Sequence, residues 1–149
     1  MSVVDDLKFR INAKKITFDT PLHTSERLKR ELLGENATVK VTEILQKLVL
    51  EISKFENINI SSIIRDEGHH GSGRAIDVGN EAIAASLLTK IATDAKVHEL
   101  RIDEIIFDAS VAGELDRNKW NYDRGQKHDF DKKILDEHQD HIHFAVKAS

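Results

Sequence analysis

Residues 38–65 set the strongest constraint on the fold. Val41, Ile44, Leu45, Leu48, Val49, Ile52 and Phe55 recur at helical spacing, while Lys40, Glu43, Lys47, Glu51 and Lys54 take the opposite face. That pattern predicts an amphipathic helix over 38–55, begun by Thr42 or Thr38. The period then changes at once. In "NINISSIIR" Ile58, Ile60 and Ile64 point one way and Asn59, Ser61 and Ile63 the other, which predicts a strand ending near Arg65. A helix with one apolar stripe running straight into a half-buried strand needs a sheet to pack on.

More elements of the same kind follow. "RAIDVG" (74–79) reads as a short strand, and Asn80 is placed to cap a helix whose stripe is Ile83, Leu87, Leu88 and Ile91, through about Ala95. "IDEIIFDAS" and "IHFAV" read as further strands, with a polar and mostly irregular stretch at 110–140 between them. At the N-terminus, "LKFRINAKKITF" (7–18) alternates in part and suggests a hairpin or two short strands. "PLHTSERLKRELLG" suggests a short helix capped by Thr24 or Ser25 and ending at Gly34. The 149 residues suit one domain. The expected fold class is α+β: a small antiparallel or mixed sheet with helices packed on one face.

Charge and cysteine usage narrow the chemistry. A formal net charge of −4 without a basic stripe argues against a nucleic-acid partner, and so against a metal-dependent nuclease. There is no cysteine, so disulfides, thiolate metal sites and a cysteine nucleophile are excluded. No apolar run is long enough to span a membrane, and "MSVVDDLKFR" lacks the pattern of a secretory signal. The expectation is synthesis in the cytoplasm, with action elsewhere only if the protein is delivered.

Histidines and carboxylates occur where strands should carry apolar side chains. In "DHIHFAV", Ile142, Phe144 and Val146 share one face, and His141, His143 and Ala145 share the other. The two histidines then project from one side, about 7 Å apart. In "RAIDV", Ile76 and Val78 face the core and Ala75 and Asp77 face away. If these strands are neighbours, Asp77 meets His143. His70 precedes a turn with Gly71 and Gly73, which lets its imidazole fold back to Asp77. Two histidines and a carboxylate suit a catalytic zinc site, in which the fourth position is left to water. Such a site also needs a base, and Asp140 and His141 are the adjacent candidates. Taken singly, each of these residues also has a plainer reading, as a turn residue, a strand-end carboxylate or a solvated strand face.

His70, Gly73, Ala75 and Asp77 form H-x-x-G-x-A-x-D, and Asp140, His141 and His143 form D-H-x-H. Together they resemble the LAS metallopeptidases, named for lysostaphin, the D-Ala-D-Ala metallopeptidases and the sonic hedgehog domain. The likeness is greatest to the D-alanyl-D-alanine carboxypeptidase and L-alanyl-D-glutamate endopeptidase branch. It covers roughly residues 40–147 and leaves 1–37 as an unassigned extension. It implies a hedgehog-like fold and one zinc ion held by His70, Asp77 and His143. It further implies Asp140 as general base, His141 as an aid to the transition state, and a peptidoglycan peptide as substrate. Arg65 matches the family arginine that binds substrate or the oxyanion. The family usually has a helical insertion between that arginine and the first ligand, whereas here only Asp66–His69 intervene. An ion pair of Arg65 with Asp66 or Glu67 is the competing reading. The resemblance also leaves room for a zinc-binding interaction module without catalysis. His69, His128 and His138 have no assigned role. In the 113–133 stretch, Trp120 and Tyr122 either anchor the loop or touch substrate, and Lys119, Arg124 and Lys127 are candidates to meet substrate carboxylates.

Overall fold

The computed structural model describes residues 2–35 and 38–149. Among these residues the elements are α1 (Val3–Asn12), β1 (Ile16–Phe18), α2 (Leu22–Leu32), α3 (Glu43–Phe55), β2 (Ile58–Ser62), α4 (Gly68–Gly71) and β3 (Ala75–Val78). They continue with α5 (Ala84–Ile91), α6 (Asp94–Glu99), β4 (Ile102–Ile106), β5 (Tyr122–Asp123), β6 (Gln126–Lys127), α7 (Lys132–Asp136) and β7 (Ile142–Val146). The strands form one mixed sheet in the order β1-β2-β3-β7-β4-β5-β6. β1 runs parallel to β2, and every other pairing is antiparallel. The fold is α+β.

α3 forms within the predicted 38–55 stretch but starts at Glu43, so Val41 lies outside the helix. Thr42 caps it, its side-chain oxygen accepting from the backbone N–H of Leu45 at 3.2 Å. Leu45, Leu48, Val49 and Ile52 are fully buried, and α3 packs on β7. These side chains join Ile76, Val78, Ile142, Phe144 and Val146 in one hydrophobic cluster. Because the cap satisfies an otherwise orphaned amide, Thr42→Ala is expected to lower stability by about 1 kcal/mol. A urea titration should show this as a shifted midpoint with an unchanged slope.

Several sequence expectations are corrected. Residues 3–12 are helix, not hairpin. Leu7 and Ile11 share a face in either reading, but Phe9, which a strand would bury with them, is 67% exposed. Ser2 caps this helix. Only Ile16–Phe18 is strand, paired in parallel with β2. The N-cap position of α2 is Pro21, without a side-chain cap. Ser25 instead donates to the carbonyl of Asp19 at 2.6 Å. α2 stops just before Gly34, which takes the left-handed conformation while the Glu35 amide reaches back to the Arg30 carbonyl.

β2 ends at Ser62 rather than near Arg65. The register slips between Ile60 and Ser62, which reverses the side-chain parity, so Ile63 enters the core in place of Ile64. Asn80 does not cap a helix. Its side chain accepts from the Asn59 amide and donates to the Asn57 carbonyl, both at 2.9 Å, tying the end of β3 to β2. The helix expected through Ala95 is split after Ile91, and Thr93 caps α6.

The 110–140 stretch is more regular than expected. It holds a 3-10 turn at Ala109–Ala112, the β5–β6 hairpin and α7. Trp120 and Tyr122 are buried, with the Tyr122 hydroxyl donating to Asp94 at 2.8 Å, so they anchor the segment. Asp108, fully buried, accepts from Arg117, Ser110 and Gln139 and pins the start of the segment to its end. Lys119 pairs with Glu114, and Lys127 donates to the Asn118 carbonyl. Arg124 lies in the left-handed region at the hairpin turn. Among the described residues no helix is long and apolar enough to cross a membrane.

Candidate metal centre

β3 and β7 are adjacent, and their register sets Asp77 directly opposite His143. Side-chain alternation then puts both on the side of the sheet away from Ile76 and Phe144. The third residue arrives from α4, a single turn that meets β3 and β7 and carries His70. After α4 the chain reverses at Gly73, with φ +71°. A Cβ at Gly73 would stand 2.6 Å from the Lys40 carbonyl oxygen, so no side chain fits there. The Gly73 carbonyl accepts from the Thr42 amide, which ties this turn to the start of α3. The turn expected at His70 is thus a short helix followed by a left-handed glycine.

His70, Asp77 and His143 are all buried, and one donor atom from each lies within 4.8 Å of the others. The oxygen at the centre is Asp77 Oδ1, which is 3.3 Å from His70 Nε2 and 3.1 Å from His143 Nδ1. Donor atoms on a tetrahedral ion with bonds of about 2.1 Å are about 3.4 Å apart, so these spacings suit a small divalent cation. Each imidazole is oriented from its far side. Nδ1 of His70 lies 2.7 Å from the Ile63 carbonyl oxygen, which requires a proton at Nδ1 and directs the Nε2 lone pair inward. Nε2 of His143 lies 2.9 Å from Glu104 Oε1, which leaves Nδ1 on the Asp77 side. His70 Nε2 is the one buried side-chain nitrogen or oxygen without a hydrogen-bond partner among the described residues. A buried lone pair with no donor is costly unless something else occupies it. The donor set therefore fits a metal ion.

The electrostatics agree. Burial opposes the charge on Asp77, but the hydrogen bond and charge of His143, with the His70 ring beside it, outweigh it and hold the carboxyl well below the usual range. Burial likewise opposes protonation of His143, yet Asp77 and Glu104 raise its pKa above the ordinary imidazole value. Glu104 is lowered against its own burial, chiefly by the hydrogen bond from His143.

Arg65 does reach the centre. Nη1 donates to Asp77 Oδ2 at 3.0 Å, and Nε lies 3.6 Å from Glu67. The guanidinium therefore occupies the outer oxygen of Asp77 and leaves Oδ1 for the histidines. Asp140 lies at the rim, its side chain 88% exposed, and Oδ1 accepts from His141 Nδ1 at 2.7 Å. That hydrogen bond is the main cause of its lowered pKa. The His141 ring is 4.9 Å from that of His138, which in turn is 5.9 Å from that of His143. The three imidazoles thus lead from the rim to the centre. His138 donates from Nδ1 to the Ile134 carbonyl at 2.6 Å, and its half-burial lowers its pKa. His128 stacks edge-on against Phe130.

Sequence reasoning did not find Glu104, Asp103 or the place of His69. Glu104 reaches His143 because β4 pairs with β7, and His69 of α4 then bridges Glu104 and Asp103. The available signal was a pair of adjacent acids in the strand "IDEII", which reads equally well as a solvated face. Fold and site define an α+β protein with a buried His-Asp-His group able to hold a metal ion. Comparison with protein-family models, curated protein sequences and solved structures finds no match to the chain.

Proposed function

We propose that this chain is a zinc-dependent peptidase acting on bacterial cell-wall peptides, with a peptidoglycan stem peptide or cross-link as substrate. The observation that carries the metal-dependent part is the convergence of two oriented imidazole nitrogens on Asp77 Oδ1 in a buried site. The substrate class rests on the likeness of the paired H-x-x-G-x-A-x-D and D-H-x-H motifs to the LAS metallopeptidases. A zinc ion there would polarise a peptide carbonyl and lower the pKa of a water toward about 7. The chain's own residues supply the rest. Asp140, whose carboxyl is held below its usual range chiefly by His141, would take up a proton from the attacking water and return it to the leaving amine, with Oδ1 oriented by His141. Arg65 steadies Asp77 and can offer its remaining N–H donors to developing negative charge.

The test is mass spectrometry of peptidoglycan fragments incubated with zinc-loaded protein. Peptide release is expected, and Asp140→Ala should reduce it by about 100-fold or more, within the range of general-base catalysis, with zinc content unchanged. Loaded wild-type protein that releases nothing from several wall types would rule the peptidase out.

One observation favours a second reading, a zinc-binding interaction module without turnover. Asp140 is nearly fully exposed and bonds to its neighbour His141 rather than to any of the three candidate ligands. This reading requires that Asp140→Ala leave function untouched, so the same variant separates the two.

A further inference from the structure

Glu104 touches the centre through the far side of His143. Its Oε1 lies 2.9 Å from Nε2, whereas Asp77 is on the Nδ1 side. The two ring nitrogens point in diverging directions, so Glu104 cannot bind the ion that Nδ1 would bind. It can only act through the ring. His69 holds it in turn: Nδ1 of His69 is 3.2 Å from the same Oε1, and Nε2 is 2.6 Å from Asp103 Oδ2. This ring is therefore wedged between the adjacent carboxylates of β4. Glu104 is four-fifths buried, and β4 itself is fixed against β7 by the Ile105–Phe144 and Ile106–His143 pairings.

We propose that Glu104 is a positioning residue for the metal centre, with His69 and Asp103 as its support. Glu104 accepts the Nε2 proton of His143 and so commits Nδ1 of that ring to the metal. The inference rests on the metal-centre reading and goes beyond it, since it assigns roles to three residues outside the ligand set. The physical reason is tautomeric. A neutral imidazole carries one proton, and the acceptor that captures it decides which nitrogen keeps a lone pair. His70 needs no carboxylate for this because the Ile63 carbonyl does the same work. His143 has no backbone acceptor at Nε2, and Glu104 takes that place.

The experiment measures zinc affinity of the purified full chain by competition with a chromophoric chelator. Wild type is compared with Glu104→Gln, Glu104→Ala, His69→Phe and the surface control Glu43→Gln. Glu104→Ala is expected to bind zinc about 10- to 100-fold more weakly, as loss of an outer-shell partner does elsewhere. Glu104→Gln and His69→Phe should fall between it and wild type, and Glu43→Gln should match wild type. Long-range nitrogen–proton NMR of the zinc-loaded wild type supplies a readout independent of variant folding. It should show His143 protonated at Nε2 and ligated through Nδ1. Ligation through Nε2 would overturn the inference, as would Glu104→Ala binding zinc within about twofold of wild type. If wild type itself takes up no zinc, the metal centre fails and this role fails with it. If wild type binds and the variants bind equally well, only the role of Glu104 is lost.

Discussion

Purified protein is expected to take up one zinc ion per chain, and His70→Ala to weaken that binding by more than about 100-fold. Loss of an outer-shell partner alone costs about 10- to 100-fold, and His70 would be a direct ligand. Among the described residues its Nε2 is the buried side-chain atom left without a hydrogen-bond partner, and the one hydrogen bond its ring makes is from Nδ1 to the Ile63 carbonyl. Binding should also depend on pH in a defined direction. In the metal-free protein, Asp77 and Glu104 raise the pKa of His143 above about 6.5 despite its burial. A metal ion must displace the proton at Nδ1, so affinity should rise with pH through and above the ordinary imidazole range, with proton release. Calorimetry in buffers of different ionisation enthalpy measures both quantities. An affinity that does not change between about pH 6 and 8 would contradict ligation by His143.

Phe144→Ala should destabilise the fold severely, well beyond the loss of the Thr42 cap. Phe144 is fully buried on the central strand, opposite Ile76 of β3 and Ile105 of β4. Truncating a buried phenylalanine costs about 3–5 kcal/mol, through lost burial and the cavity left behind. A domain of this kind has a total stability of about 5–15 kcal/mol, so the variant would sit near its limit. The melting temperature should fall by about 10 °C or more. Thermal unfolding followed by circular dichroism measures this, and a loss below about 1 kcal/mol would mean that the core is not organised around β7. The same strand presents His143 on its other side, so the variant should also bind zinc less tightly.

Much of the architecture could be read from periodicity. α3 announces itself by six apolar residues at helical spacing, and β3 and β7 by alternation on a buried face. The N-terminal segment could not be read in this way. Leu7 and Ile11 are four apart and satisfy both periods, so only the exposure of Phe9 identifies the helix. The end of β2 was hidden for another reason. A bulge changes side-chain parity without any mark in the sequence, which is why Ile63 and Ile64 exchange places.

The order of residues alone decides which face of each strand a side chain occupies. Alternation sets Asp77 apart from Ile76 and Val78, and His143 apart from Ile142 and Phe144, because successive side chains on a strand must point to opposite sides. It could not decide which strands are neighbours. The placement of β7 between β3 and β4 is a property of the whole packed sheet. That order puts Asp77 on one side of the His143 ring and Glu104 on the other. It also gives His69, an unassigned neighbour in the sequence, two carboxylates to bind. Arg65 follows the same rule. Its nearest acids in the chain are Asp66 and Glu67, yet its shortest ion pair is with Asp77, because β2 pairs with β3 and sets Ser62, just before Arg65, opposite Asp77. Local sequence chose the side chains, and the tertiary order of strands chose their partners.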